Sequence, residues 1–251
     1  MNKQELAEQL KAKFEIPFSG WDFSYLAGKM EETALPWNYR MLVEEQIKKA
    51  GSLLDMGTGG GEFLDSLASL PQVTFATEGY PPNLPIARER LVKKGVDVRQ
   101  VLEDNVLPFE DRFFDLVINR HEAYDVAQVF RVLKPGAVFI TQQVGGLNDI
   151  DINAMLGGPV PIYFDWCLLK TTEELVNKGF TIIKSDESMG KSRFYDVGSL
   201  VYYLKCIPWQ IPDFSIDTSI DRLFFLHQYL SEHGCIDFIN HRFYLIAKKP
   251  A

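Results

Sequence analysis

The sequence is short of the residues that staple, anchor or attract polyanions. Only three cysteines, Cys167, Cys206 and Cys235, are spread along 251 residues. An odd, scattered set offers neither a disulfide framework nor the paired spacing of a zinc site, so free thiols in a reducing cytoplasm and no metal are expected. No apolar run approaches the ~18–20 residues of a spanning helix. The opening Met1-Asn2-Lys3-Gln4-Glu5 leads into a polar amphipathic stretch rather than an apolar signal core, so neither secretion nor a membrane partner is expected. Positive charge is also in deficit, with 26 Lys and Arg against 34 Asp and Glu and a formal charge of −8. That balance argues against backbone-driven binding to nucleic acid, which wants a basic face. Repeats and low-complexity linkers are missing too. The remainder, 46% hydrophobic and 24% charged, is the composition of a globular chain able to bury a sizeable core. Nothing in it selects an oligomeric state.

From Gly51 onward, short β-rich runs alternate with helical stretches. Ser52–Met56, Val73–Glu78, Val96–Val101, Phe114–Asn119 and Ala137–Gln143 read as strands, with helices near Glu62–Ser69, Leu84–Lys94 and Tyr124–Leu133 between them. This alternation predicts βαβ units and a mostly parallel sheet with helices on both faces. Lys134-Pro135-Gly136 ends the last of these helices and starts a buried strand. Thr171 and Glu174 have capping-box spacing for a helix that stops at Gly179. "FTIIKS" and "HRFYLIAKK" are a sixth and a seventh strand, and the long segment between them is far too long for a hairpin. The expectation is therefore an α/β, Rossmann-like, seven-stranded and mostly parallel sheet, its last strand antiparallel and preceded by a helical insertion. One domain, 1–251, would comprise an N-terminal helical cap (1–50), a core (51–146) and an insertion (190–240) placed as a lid.

The stretch "LLDMGTGGGEFL" carries the chemistry. Gly57, Gly59 and Gly61 follow Asp55 at the end of the first core strand, letting the chain turn sharply and bring bare backbone close to a ligand. Position 62, glycine in the dinucleotide fingerprint, is Glu62, and no Gly-Lys-Ser/Thr follows for a triphosphate. A carboxylate beside the loop disfavours pyrophosphate and suits a ligand with positive charge. Glu78 ends the second core strand some twenty residues on, where an acid commonly holds a ribose diol. Past the third strand, Glu103 and Asp104 precede a Leu-Pro-Phe turn, and either carboxylate could accept from an adenine amino group.

Taken in order, these residues resemble the class I S-adenosylmethionine-dependent methyltransferases. Asp55-Met56-Gly57-Thr58-Gly59-Gly60-Gly61 looks like their first motif, Glu78 like the ribose acid, and Glu103-Asp104-Asn105 with Leu107-Pro108-Phe109 like the adenine-side motif. Phe114-Asp115-Leu116-Val117 is similar to their fourth strand and Leu133-Lys134-Pro135-Gly136 to the turn before the fifth. The resemblance implies S-adenosyl-L-methionine as cofactor and S-adenosyl-L-homocysteine as product. The cofactor-binding set it implies is Asp55, Gly57, Thr58, Gly59, Gly61, Glu78, Gly79, Tyr80, Glu103, Asp104, Asn105, Asn119, Arg120 and His121. It implies methyl transfer, and the 190–240 insertion as a lid, with the negative charge counting against RNA, makes a small-molecule acceptor the expectation. An RNA or protein acceptor, or a catalytically silent binding module, is the alternative, and a nicotinamide oxidoreductase is disfavoured by Glu62.

His121, just past the fourth strand, is the candidate base; equally, it could pack against the cofactor and orient a loop. Trp37, Arg40, Tyr124, Tyr195, Tyr202 and Trp209 are candidates for the substrate pocket, Arg40 as a partner for a carboxylate. Tyr195, Tyr202 and Trp209, with Tyr203, could equally be core of the insertion. His227, on an apolar helix face with Leu223 and Phe224, reads as a core histidine.

Overall fold

The structure, a computed structural model, describes residues 1–18, 21–102 and 106–251. Eight strands form one sheet: β1 (Met30–Glu32), β2 (Ser52–Met56), β3 (Val73–Glu78), β4 (Asp97–Gln100), β5 (Phe114–Arg120), β6 (Leu133–Val144), β7 (Thr181–Phe194) and β8 (Ile236–Lys248). Their order across the sheet is β1-β7-β8-β6-β5-β2-β3-β4. The strands from β2 to β6 run parallel, while β8 lies antiparallel between β6 and β7. The expected doubly wound sheet with an antiparallel last strand is present. The sheet has one strand more than expected, because β1 pairs Met30–Glu32 with Ser192–Phe194 at the outer edge. A three-residue edge strand buries too little of either face to leave an alternating pattern in the sequence.

Consecutive residues of β2 feed opposite cores, as the two-residue period of a strand requires. Leu53 joins Val43, Leu64, Leu91 and Ile118 on the face covered by α2 (Tyr39–Ile47), α3 (Glu62–Asp65) and α4 (Asn83–Leu91). Leu54 joins Val117, Val129, Phe139 and Leu175 on the face covered by α5 (Val126–Val132) and α7 (Leu168–Lys178). Every residue of β2 is buried, so the strand is apolar apart from Ser52 at its start and Asp55. Each leucine removed from water there contributes about 1.5–3 kcal/mol.

Helix α7 corrects one boundary. It starts at Leu168, with Cys167 in extended conformation as its cap residue, and Thr171 lies fully buried within the helix. Gly179 ends it at φ +107, the left-handed stop expected there.

Beyond the last β6 pairing, Val144 with Arg242, strands β7 and β8 continue together from Met189–His241 to Phe194–Ile236. This ribbon rises past the carboxyl ends of the parallel strands and carries a third core. Helices α8 (Val197–Cys206) and α9 (Ile216–His233) pack there with α1 (Lys3–Phe14) and α6 (Ile150–Leu156). Leu6 and Leu10 of α1 are buried against the same cluster as Leu200, Leu223 and Leu230. Lys3 and Lys11 pair with Asp221 and Asp217 of α9, each at 2.6 Å. The cap is thus built from both the first residues of the chain and the segment expected as an insertion.

Candidate active site

The loop after β2 has the conformation that its glycines permit. Gly57, Gly59 and Gly61 have φ of +67°, +62° and +84°, the left-handed region where a Cβ would be strained. Crowding adds a second reason: a Cβ on Gly57 would lie 2.4 Å from Glu122 Cγ, and one on Gly61 2.8 Å from Leu91 Cγ. Thr58 ties the turn down, its Oγ1 donating to Asp55 Oδ2 at 2.8 Å and its N–H to the Thr77 carbonyl at 2.9 Å. Asp55 is 4% exposed. Burial lifts its carboxyl to about 7, against the pull of the Thr58 hydroxyl and the Arg120 charge, and Glu78 adds to the rise.

Glu62 does not act on the loop as a free carboxylate. Arg90 of α4 donates both to it and to the Gly60 carbonyl, so its charge is balanced in place. The acidity that faces the loop comes instead from Asp55 and Glu78. The glycine spacing still differs from the dinucleotide form.

Glu78 ends β3 with its carboxyl 5% exposed, and Tyr80 N–H donates to Oε1 at 2.7 Å. Burial raises its pKa, while the N–H groups of Tyr80, Gly59 and Gly79 oppose the rise. Asn83, fully buried at the start of α4, approaches this carboxyl, yet neither amide atom completes a hydrogen bond with any described group. A carboxylate beside an unspent amide donor and acceptor is a set that a vicinal diol would satisfy. Gly79 is obligatory here, since a Cβ would stand 2.9 Å from the Val101 carbonyl. A small cavity opens beside it, bounded by Gly57, Thr77, Gly79, Val101, Leu107 and Ala123. Tyr80 keeps its side chain 58% exposed at the rim. Glu103, Asp104 and Asn105, the expected adenine-side residues, lie outside the described residues.

The ends of β5 and β6 form the other wall. Asn119 is fully buried and its Oδ1 accepts from Thr141 Oγ1 at 3.1 Å and Gln143 Nε2 at 2.6 Å. The Tyr39 hydroxyl donates to the Asn119 carbonyl at 3.1 Å. Arg120 extends outward over the rings of Tyr39 and Phe63, 5.8 and 6.0 Å from their centroids. His121 turns the chain at φ +61°. The residue as a whole remains solvent-exposed, as suits a group at a cleft mouth. Loss of hydration on the ring's protein side, with Arg242 and Arg120 nearby, holds the imidazole well below its ordinary pKa.

The substrate-pocket candidates separate. Trp37 belongs to the site: its Nε1 donates to Gln142 Oε1 at 2.8 Å and its ring packs 4.9 Å from that of Tyr244. Trp209 is 48% exposed on the cap and meets Trp21 edge-on at 6.0 Å. Trp21 in turn comes within 3.1 Å of where a Gly59 Cβ would stand, so the pair roofs the glycine loop. The other four point elsewhere. Arg40 donates to the Ser66 carbonyl and to Ser66 Oγ, both at 2.7 Å, and so joins α2 to the end of α3. Tyr124 packs edge-on against Phe139 in the core under α5 and α7. Tyr202 is 2% exposed within the cap core, against Tyr25. Tyr195 lies at the cap margin beside β1, its backbone N–H donating to the Lys29 carbonyl at 3.1 Å. Aromatic content alone could not tell a pocket wall from a cap interior.

Several site residues carry no sequence motif: Trp21, Asn83, Glu122, Gln142 and the group around Arg242. Arg242 donates to Glu32 of β1 at 2.9 Å and to Asn148, and Asp149 accepts from the Tyr203 hydroxyl of α8 at 2.8 Å. Burial lifts the Asp149 carboxyl to about 7. These bonds fasten the cap to the sheet beside the cleft. Asp115, at the opposite end of β5, binds Lys134 at 2.8 Å and Ser52 Oγ at 2.9 Å, a bottom-edge staple remote from the cleft. Among the described residues there is no group of three or more His, Cys, Asp or Glu that could hold a metal ion, and no helix long and apolar enough to cross a membrane.

Residues 54–141 match a family model described as a methyltransferase domain. No curated protein matches the chain by sequence. Among solved structures, a candidate methyltransferase of Bacillus halodurans C-125 is 18% identical with a TM-score of 0.61, over 85% of this chain and 99% of that one. The cyclase SpnF is 18% identical with a TM-score of 0.54, over 100% and 98% of the two chains. Phosphoethanolamine N-methyltransferase 2 of Haemonchus contortus, solved with S-adenosyl-L-methionine, is 15% identical with a TM-score of 0.52, over 100% of this chain and 58% of that one. At such identities the likeness is one of fold.

Proposed function

We propose that this chain, which carries a class I S-adenosylmethionine-dependent methyltransferase domain, passes a methyl group to a small-molecule acceptor by in-line displacement. The observation that carries the reading is the pairing of Glu78 with Asn83 at the edge of a loop whose three glycines are all left-handed. A carboxylate and an unspent amide suit the ribose diol of a nucleoside, and the bare loop admits the chain attached to it. Arg90, whose guanidinium reaches the loop at the Gly60 carbonyl, is spent there and on Glu62 rather than left free for a pyrophosphate.

When bound, S-adenosyl-L-methionine supplies an already activated methyl on a sulfonium centre, so the chain's task is orientation and exclusion of water. Gly57 to Gly61 leave the space, and Glu78 with Asn83 fix the sugar end. Arg120, stacked outward over Tyr39 and Phe63, offers a guanidinium to a carboxylate at the cleft mouth. Trp21 and Trp209 cover the loop from the cap. A roof of this kind over a cleft in a chain of net charge −8 favours a small acceptor over a polyanion.

Calorimetry with S-adenosyl-L-methionine, S-adenosyl-L-homocysteine and NAD tests the ligand. Binding of the first two without the third is expected, and the reverse result overturns the reading. Transfer of labelled methyl into fractionated cell extract tests the acceptor: label in small metabolites is expected. Label confined to RNA or protein would overturn the small-molecule acceptor, and binding without transfer would leave a silent module.

A further inference from the structure

Trp37 governs more than its own position. An indole N–H can only donate, and Trp37 Nε1 donates to Gln142 Oε1 at 2.8 Å. That bond orients the amide: its oxygen faces Trp37, so its NH2 faces His121 Nε2, 3.1 Å away. An amide NH2 cannot accept, so Nε2 must, and the neutral ring then carries its proton on Nδ1. A proton on Nε2 would set two donors face to face. Gln142 is 2% exposed, and its carbonyl also accepts from the His121 N–H at 2.9 Å. One buried residue therefore holds both the backbone and the ring of His121, in a left-handed conformation that few non-glycine residues adopt.

We propose that Trp37 and Gln142 are positioning residues that lock His121 as the neutral Nδ1–H tautomer, so that His121 gives the cleft a hydrogen-bond donor and takes no proton from the methyl acceptor. The functional half of this rests on the reading of the cleft given above; the tautomer itself does not. The charged groups around the ring agree with a neutral imidazole: Arg120 precedes it on β5 and Arg242 faces it from β8, and both disfavour imidazolium. Glu122 follows it in the chain, with its side chain turned over Gly57. An acceptor served by such a donor arrives with its own lone pair, as an amine, thiolate or carboxylate does, or loses its proton to another group.

Long-range nitrogen–proton NMR on the full chain, without cofactor, reads the tautomer directly. The sequence holds four histidines, and the loss of one set of signals in His121→Asn assigns the ring. The expected spectrum shows Nδ1 protonated, Nε2 bare, and no titration of this ring between about pH 6 and 8. Trp37→Phe frees the amide to rotate, which should give a tautomer mixture. Gln142→Glu replaces the donor by an acceptor for both neighbours, so the proton should move to Nε2 and the ring should titrate at higher pH. A wild-type ring with Nε2 protonated overturns the proposal, as does an unchanged tautomer in a folded Gln142→Glu or Trp37→Phe chain. No methyl transfer is needed for this readout, so its failure is distinct from failure of the functional reading. Once an acceptor is known, the pH–rate profile should lack a histidine limb in the wild type and gain one in Gln142→Glu.

Discussion

Replacing Asp55 by asparagine should make the protein more stable, and increasingly so as the pH rises. Burial lifts the Asp55 carboxyl from its ordinary 3.8 to about 7. The folded chain therefore keeps a proton that the unfolded chain has lost. The stability this provides is complete below about pH 4 and drains away as the pH rises through about 7. At 1.36 kcal/mol per unit, the wild type loses about 2–3 kcal/mol from this one group between pH 5 and 8. Asparagine retains an acceptor for Thr58 Oγ1 and has no charge to bury. For a chain of this size, 1 kcal/mol moves the melting point by about 2–4 °C, so the gain of the variant should grow by roughly 5–10 °C over that pH range. Asp149, also lifted to about 7, titrates in both chains and cancels in the difference. Melting curves of the two chains at about pH 5, 6.5 and 8 decide the matter. A difference that stays constant with pH would refute the claim that a buried charge is the cause.

The donor site is tested by Glu78→Gln, which removes a charged acceptor and preserves shape. Losing a charge-assisted hydrogen bond of about 1.5–3 kcal/mol should weaken S-adenosyl-L-homocysteine binding roughly 10- to 150-fold by calorimetry. Unchanged affinity would place the ribose elsewhere. Gly61→Ala should lower stability by about 2–5 kcal/mol, combining a left-handed backbone with pressure on Leu91, and urea unfolding measures it. A loss under about 0.5 kcal/mol would show that the loop relaxes at no cost.

The parts of the site that were legible in the sequence are those built by local backbone. The glycine loop and the acid closing β3 each follow from a few adjacent residues whose conformational demands are particular to them. The sheet was legible for the same reason, since alternating runs of apolar residues report burial along one strand. What the sequence withheld depends on pairs far apart in the chain. Trp21 meets the loop at Gly59, Arg90 neutralises Glu62, and Arg40 is consumed by Ser66. Glu62 and Arg40 suited the roles first expected of them, and only the partners that folding delivers change those roles. Thr171 misled for a different reason. Its spacing from Glu174 fits a cap, but the apolar face of α7 extends a turn further and buries the threonine within the helix.

The cap's construction sets an order of events for folding. Its core needs Leu6 and Leu10 from the first helix and Leu223 and Leu230 from the ninth, residues more than two hundred positions apart. The ribbon that carries it closes only when β8, the last strand, pairs with β7 along its whole length. Contacts so distant in sequence are slow to form, because a large loop must close before they return any stabilisation. The parallel core can assemble while α1 still waits with an unburied apolar stripe. Removing residues 1–14 should therefore leave the sheet intact, while exposing apolar surface on α8 and α9 and inviting aggregation during refolding.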